Sequence, residues 1–155
     1  MQVFLCIGIF KIKKMLGELY INDKDAWSTW KARLVDDSLD NLESSASMKS
    51  YASNNARSQD GEQVLISNPR IDKRNVILIF AITCDSIADY LTKKRSLEAE
   101  LQSGLISVKV TALSMIYKLH LDQDSTMTLS SGTGLRDGKF TVRFTEKNPK
   151  DRIQL

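Results

Sequence analysis

The residues of this 155-residue chain whose types could do chemistry are few: one histidine, two cysteines and a scatter of carboxylates. A Ser-His-Asp or Cys-His site would have to use His120, the single histidine. It lies in an alternating stretch from Met115 to Leu121, on the face opposite Tyr117 and Leu119. We therefore read it as a solvent-facing strand residue, not a general base. Cys6 and Cys84 are far apart and form no CxxC pair, so with one histidine they lack the four-ligand logic of a zinc site. Both thiols read as small buried hydrophobes in a reduced interior.

Other candidates fail on spacing. Gly132-Thr133-Gly134 invites a phosphate-loop reading, but phosphate loops lead into a helix N-terminus, whereas here a strand pattern follows. We read it as a hairpin loop, closed by the Asp137-Gly138 turn signal. Asp23-x-Asp25 and Asp122-x-Asp124 would open calcium loops only with glycine at the sixth position and glutamate at the twelfth. Those places hold Ser28 and Leu34 in the first, Met127 and Thr133 in the second. The densest acidic group, Asp36, Asp37, Asp40 and Glu43, reads as a solvated loop edge, and Lys93-Lys94-Arg95 as the solvent face of a helix. Trp27 and Trp30 would suit either a sugar-stacking platform or a hydrophobic plug, of which we favour the plug. No catalytic, cofactor-binding or metal-binding residue is assigned, no cofactor is implied, and the chain is expected not to be an enzyme.

The elements that would carry these residues are mostly strands. Leu16–Ile21 and Lys31–Val35 read as the first two, with a polar turn at 22–25 between them. Residues 36–62, acidic and then over 44–62 rich in serine, asparagine and alanine, read as one long polar loop, with an irregular hairpin as the alternative over 44–62, before order returns with Val64-Leu65-Ile66 and the turn at 67–70. Residues 74–82 are apolar in both alternating registers and predict a strand buried on two faces. An amphipathic helix is expected over about 86–103, capped by Asp85 or Ser86 and ended by Gly104, with Ile87, Tyr90, Leu91, Leu97 and Leu101 on its apolar face. Strands follow at 105–110, 115–121 and 139–146, and a polar tail at 148–151 closes the domain. The order predicts a mainly β fold with one α-helix: an antiparallel β-sandwich or partial barrel carrying one flanking helix.

Composition agrees with a single globular domain over residues 15–155, at 42% hydrophobic and 26% charged residues. Residues 1–14 form an apolar and then basic leader, too short for a membrane helix and with its charges on the wrong side for a signal peptide. We read it as an upstream extension with Met15 as the start, the other readings being a targeting segment or an extra strand. Lys11, Lys13 and Lys14 account for the whole formal charge of +3, leaving a neutral body. Neither nucleic acid nor membrane is expected as a partner.

Several segments resemble the distal tail proteins of long-tailed bacteriophages and their Bacteroidetes prophage relatives. These are Leu19–Trp27, Pro69–Phe80, Asp89–Lys93, Glu100–Leu105 and Gly138–Phe144, in that order along most of residues 16–152. The resemblance implies a structural tail protein, in the virion tail after assembly and in the bacterial cytoplasm before it. It implies a ring of copies, by family resemblance a hexamer, at the tail tip and in contact with other tail proteins. A closed ring needs heterologous contacts, which exposed strand edges provide. The loop 36–62 is the expected clasp. A carbohydrate-binding β-sandwich is the alternative, resting on Trp27 and Trp30.

Overall fold

A computed structural model describes residues 16–131 and 137–155. The expectations for residues 1–14, for Cys6 and for Gly132-Thr133-Gly134 lie outside these.

The architecture is mainly β, an antiparallel sheet curled into a half-barrel around a helix. In chain order the elements are β1 (Leu19–Ile21), β2 (Lys24–Asp25), α1 (Ala26–Trp30), β3 (Ala32–Leu34), α2 (Ser38–Glu43), β4 (Ala52–Asn54) and β5 (Gln63–Leu65). There follow β6 (Arg74–Thr83), α3 (Ile87–Leu101), β7 (Leu105–Val110), β8 (Met115–Leu121), β9 (Thr128–Ser131), β10 (Asp137–Glu146) and β11 (Ile153–Gln154). The main sheet runs β2-β1-β7-β8-β10-β6-β3, with β11 on β8 and β9 on β10.

Its backbone is the β6–β10 ladder, paired from Arg74↔Glu146 to Thr83↔Asp137. By contrast β8 and β10 meet only at Leu121↔Phe144 and His120↔Thr145. Beyond that corner the free edge of β8 takes β11 and that of β10 takes β9. Two short shared rungs let the halves of the sheet diverge, and this is where the sheet curls.

The concave face is built by alternation: Val76, Leu78, Phe80 and Ile82 from β6, Phe140, Val142 and Phe144 from β10, and Ile106, Val108, Tyr117 and Leu119 from β7 and β8 are all buried. Helix α3 closes that face with Tyr90, Leu97 and Leu101, each contributing about 1.5–3 kcal/mol by leaving water. Ser86 caps it, its hydroxyl accepting from the Asp89 N–H at 3.2 Å, and Gly104 follows it at φ +118°. At its far end Glu100 accepts from Asn22 Nδ2 (2.7 Å) and Lys24 Nζ (3.0 Å), which ties the helix to the β1–β2 hairpin. Those two partners hold the Glu100 carboxyl below its ordinary range.

Four expectations need correction. First, residues 36–62 are not one loop. Residues 38–43 form α2, because Leu42 reaches the core while Ser38 and Asn41 dress the free edge of β6. Ser38 Oγ accepts from the Ile79 N–H (2.8 Å), and Asn41 Nδ2 donates to the Ile77 carbonyl (2.9 Å). Second, β6 is buried on both faces only near its end: Ile77 is 45% exposed, because nothing covers the convex side there. Third, Asp137-Gly138 is strand rather than turn. Gly138 lies against the Tyr90 ring, and a Cβ there would overlap the Tyr90 hydroxyl. Fourth, the tail does not end in a polar turn: it returns as β11, with Ile153↔Ile116 and Gln154↔Met115. Its Arg152 Nε donates to Glu146 Oε1 at 2.8 Å. The apolar cluster at 26–30 adds a further short helix, α1, capped by Asp25, whose carboxylate accepts from the Trp27 N–H at 2.9 Å.

Arg74→Met should lower stability by about 3–5 kcal/mol, because it leaves the buried Glu146 with Arg152 as its one remaining cation and takes the donor from the Asn41, Leu42 and Ser44 carbonyls. Urea denaturation should show that adding Glu146→Leu costs less than the sum of the single changes. Gly138→Ala should cost about 1–3 kcal/mol by overpacking, and Tyr90→Phe should reduce that cost in the double variant, measured as the urea midpoint.

Candidate functional site

The residues with chemical potential are held apart. His120 lies on the convex face at the β8–β10 corner, its Nδ1 2.8 Å from the Thr145 carbonyl, a fastening for the curl. Cys84 is half-buried after β6, and burial, then Asp89, pushes its thiol above the ordinary value. Asp122 pairs with Arg143 at 3.0 Å, and Asp36 with Lys139 at 3.2 Å. Asp25 is occupied as the α1 cap and by the Gly17 N–H at 2.8 Å. Lys93 and Lys94 pair along the helix with Asp89 and Glu98. Among the described residues, no three His, Cys, Asp or Glu side chains gather as a metal site, and no helix is long and apolar enough to cross a membrane.

The tryptophans are separated too. Trp30 is fully buried, its indole N–H donating to Ser96 Oγ at 3.1 Å, while half-buried Trp27 carries the Lys31 ammonium 5.2 Å from its ring centre. The two indoles form no open stacking platform, and the plug reading holds for Trp30.

A polar network lies below the surface where β6 begins. Arg74 is 6% exposed and Glu146 is fully buried. The Arg74 guanidinium donates to Glu146, to the Leu42 carbonyl (2.6 Å), to the Asn41 carbonyl (3.1 Å) and to the Ser44 carbonyl. Glu43 accepts from the Tyr117 hydroxyl, whose ionisation is pushed well above the ordinary phenol range by burial and then by that bond. Every group in it has a protein partner, so the network is a brace between α2, the sheet and the tail.

What the brace holds is an arm. Between Ser44 and Arg74 the chain leaves the body, and β4 and β5 pair only with each other, Ala52↔Leu65 to Asn54↔Gln63, in a sheet of their own. The root is pinned by the Met48↔Ile71 bridge, flanked by Lys49 N–H to the Arg70 carbonyl and Asp72 N–H to the Ser47 carbonyl, both 2.8 Å. At the tip Gly61 takes φ +76°, a left-handed turn conformation that glycine adopts without strain. All side chains of β4 and β5 are exposed, including Val64 and Leu65, with Tyr51 and Ile66 exposed beside them. The sequence offered an irregular hairpin here as an alternative to a loop and a return to order at Val64-Leu65-Ile66, but not the pairing of 52–54 with 63–65, because Ala52-Ser53-Asn54 carries no strand signal.

No protein-family model matches the chain, and no curated protein does. Among solved structures it is similar to the crystal structure of SPP1 Dit (gp 19.1), described as a paradigm of the hub adsorption apparatus in phages that infect Gram-positive bacteria. The TM-score is 0.58 at 14% identity, over 85% of this chain and 50% of that one. The chain therefore spans half the length of that protein, and the likeness is one of fold.

Replacing residues 50–68 by a short glycine-serine link should change unfolding stability by no more than about 1 kcal/mol, since the arm buries none of its strand side chains and loop length costs little. Urea denaturation of the excised protein would show this; a large loss would mean that the arm is part of the folding unit.

Proposed function

We propose that this chain is a structural subunit of a bacteriophage or prophage tail, of the distal-tail kind, and that it builds a closed ring of its own copies at the tail tip. The fold likeness to SPP1 Dit carries the reading. The role is assembly rather than catalysis, in contact with other tail proteins, in the virion tail and in the bacterial cytoplasm beforehand.

Two physical observations support it. The neutral body has little self-repulsion to oppose packing against copies of itself. The arm presents Tyr51, Val64, Leu65 and Ile66 to solvent, and a two-stranded hairpin is marginal in water until something covers it. Such an arm reaching another copy makes a contact between unlike surfaces, the kind that generates rings.

Size-exclusion chromatography with light scattering should give a discrete oligomer, seen as closed rings by negative-stain electron microscopy. Excision of the arm should leave a folded monomer. A full-length chain that stays monomeric at high concentration and binds glycans would replace this reading with the carbohydrate-module one.

A further inference from the structure

The arm's root is as distinctive as its tip. Beside the Met48↔Ile71 bridge is a cleft of about 650 Å³ bordered by Lys49, Arg70, Lys73, Lys147 and Lys150, with Asp72 as its one carboxylate. None of these five cations takes part in a salt bridge among the described residues. Asp72 is already engaged, accepting from the Lys73 N–H at 2.8 Å. In a body that is neutral as a whole, this is a local excess of positive charge with no internal answer.

The opposite sign lies at the other end of the same arm. The tip carries Asp60 and Glu62 on either side of Gly61, both exposed and in no ion pair among the described residues, with Arg57 as the only cation on the 55–62 connection. The tip cannot fold back onto its own root, because the β4–β5 pairing holds it extended. Seven steps of extended chain run from Lys49 to Ala56, a reach of at most roughly 23–25 Å, before the turn closed by the Gln59 N–H on the Ala56 carbonyl carries the chain back. A domain of this size is roughly 35–40 Å across. The arm therefore reaches beyond half the width of the body, far enough to meet a copy packed beside it.

We propose that the acidic arm tip of one copy seats in the basic root cleft of the next, with Asp60 and Glu62 facing Lys73, Lys147 and Lys150. Resting on the ring reading above, it names the two surfaces that meet and gives the ring its direction. Tip and root are different surfaces, so each copy gives one contact and receives one, as a closed head-to-tail ring requires. The charges set register and direction, while Val64, Leu65 and Ile66 supply the apolar area.

Charge reversal tests it. Asp60→Lys/Glu62→Lys reverses the tip, and Lys73→Glu/Lys147→Glu/Lys150→Glu reverses the root; all five side chains are exposed, so unchanged thermal midpoints confirm the fold. Each variant alone should be monomeric under conditions where the unmodified chain assembles. Mixed in equal amounts they should assemble again, in strict alternation, because every tip then meets a root of opposite sign. Assembly of the unmodified chain should weaken as sodium chloride is raised. If the unmodified chain forms rings that tip reversal leaves intact, the tip-to-root contact is overturned and the ring reading stands. Loss of assembly on root reversal alone would assign the cleft to some other acidic surface, and it too overturns the proposal. A chain that never assembles removes both.

Discussion

The structure depends on one buried guanidinium. Arg74 is the first residue of β6, opposite Glu146, the last of β10, so their ion pair closes the final rung of the longest ladder in the sheet. The same side chain takes the carbonyls of Asn41, Leu42 and Ser44, the orphan acceptors at the end of α2. Glu146 in turn receives Arg152 from the tail. Burying such charges costs several kcal/mol in desolvation, which their mutual attraction does little more than return. The gain is positional: α2, two strands and the C-terminal segment can meet in only one way. It also fixes both ends of the arm, because the chain leaves the body at Ser44 and re-enters at Arg74.

The curl of the sheet follows from a second shortage of contacts. With only two rungs between β8 and β10, the halves of the sheet are free to swing apart, and α3 fills the opening. The fit is tight enough for a glycine to be needed: Gly138 stands where the Tyr90 ring crosses β10. Here the hydrogen-bond ladder decides the shape, and the helix seals it.

Much of this was legible in the residues. The alternation of Phe140, Val142 and Phe144, the apolar run from Val76 to Ile82, and the capped helix ending before Gly104 each point to one element, because local pattern and tertiary burial agree there. The misses share a different cause. Helix α2 is six residues long, and its bonds to the body are made by Ser38 and Asn41 and by its last carbonyls to strand β6 some thirty to forty residues away, so in sequence it looks like polar linker. The spacing of Ser38, Asn41 and Ser44 on one helical face was its only local sign. Asp137-Gly138 carries a turn signal that a neighbouring aromatic ring overrules. The arm was legible only as an irregular hairpin set beside a loop reading, because its pairing partner, 52–54, has the composition of a loop. Of the candidate site, the exposed apolar triplet was visible; the basic cleft was not, since its lysines and arginine come from three separate segments.

The arm also shows how this chain divides its labour. Inside the body, the core side chains of the concave face are covered and the buried Arg74–Glu146 network is paired, and the strand side chains of the arm contribute nothing to either. Outside it, Val64, Leu65 and Ile66 remain in water, and covering each would return about 1.5–3 kcal/mol. That free energy is not used in folding, and under the proposed assembly it would be released when another copy covers the hairpin. Apolar area alone would not choose a partner or an orientation, because it is non-directional. In the proposed tip-to-root contact, the charge separated along the same hairpin, acidic at the tip and basic at the root, would supply the missing direction. Under that proposal the brace at Arg74 acquires a mechanical sense: an arm joining copies at a fixed angle would have to be rigid where it leaves the body, and that is where the only fully buried carboxylate among the described residues stands.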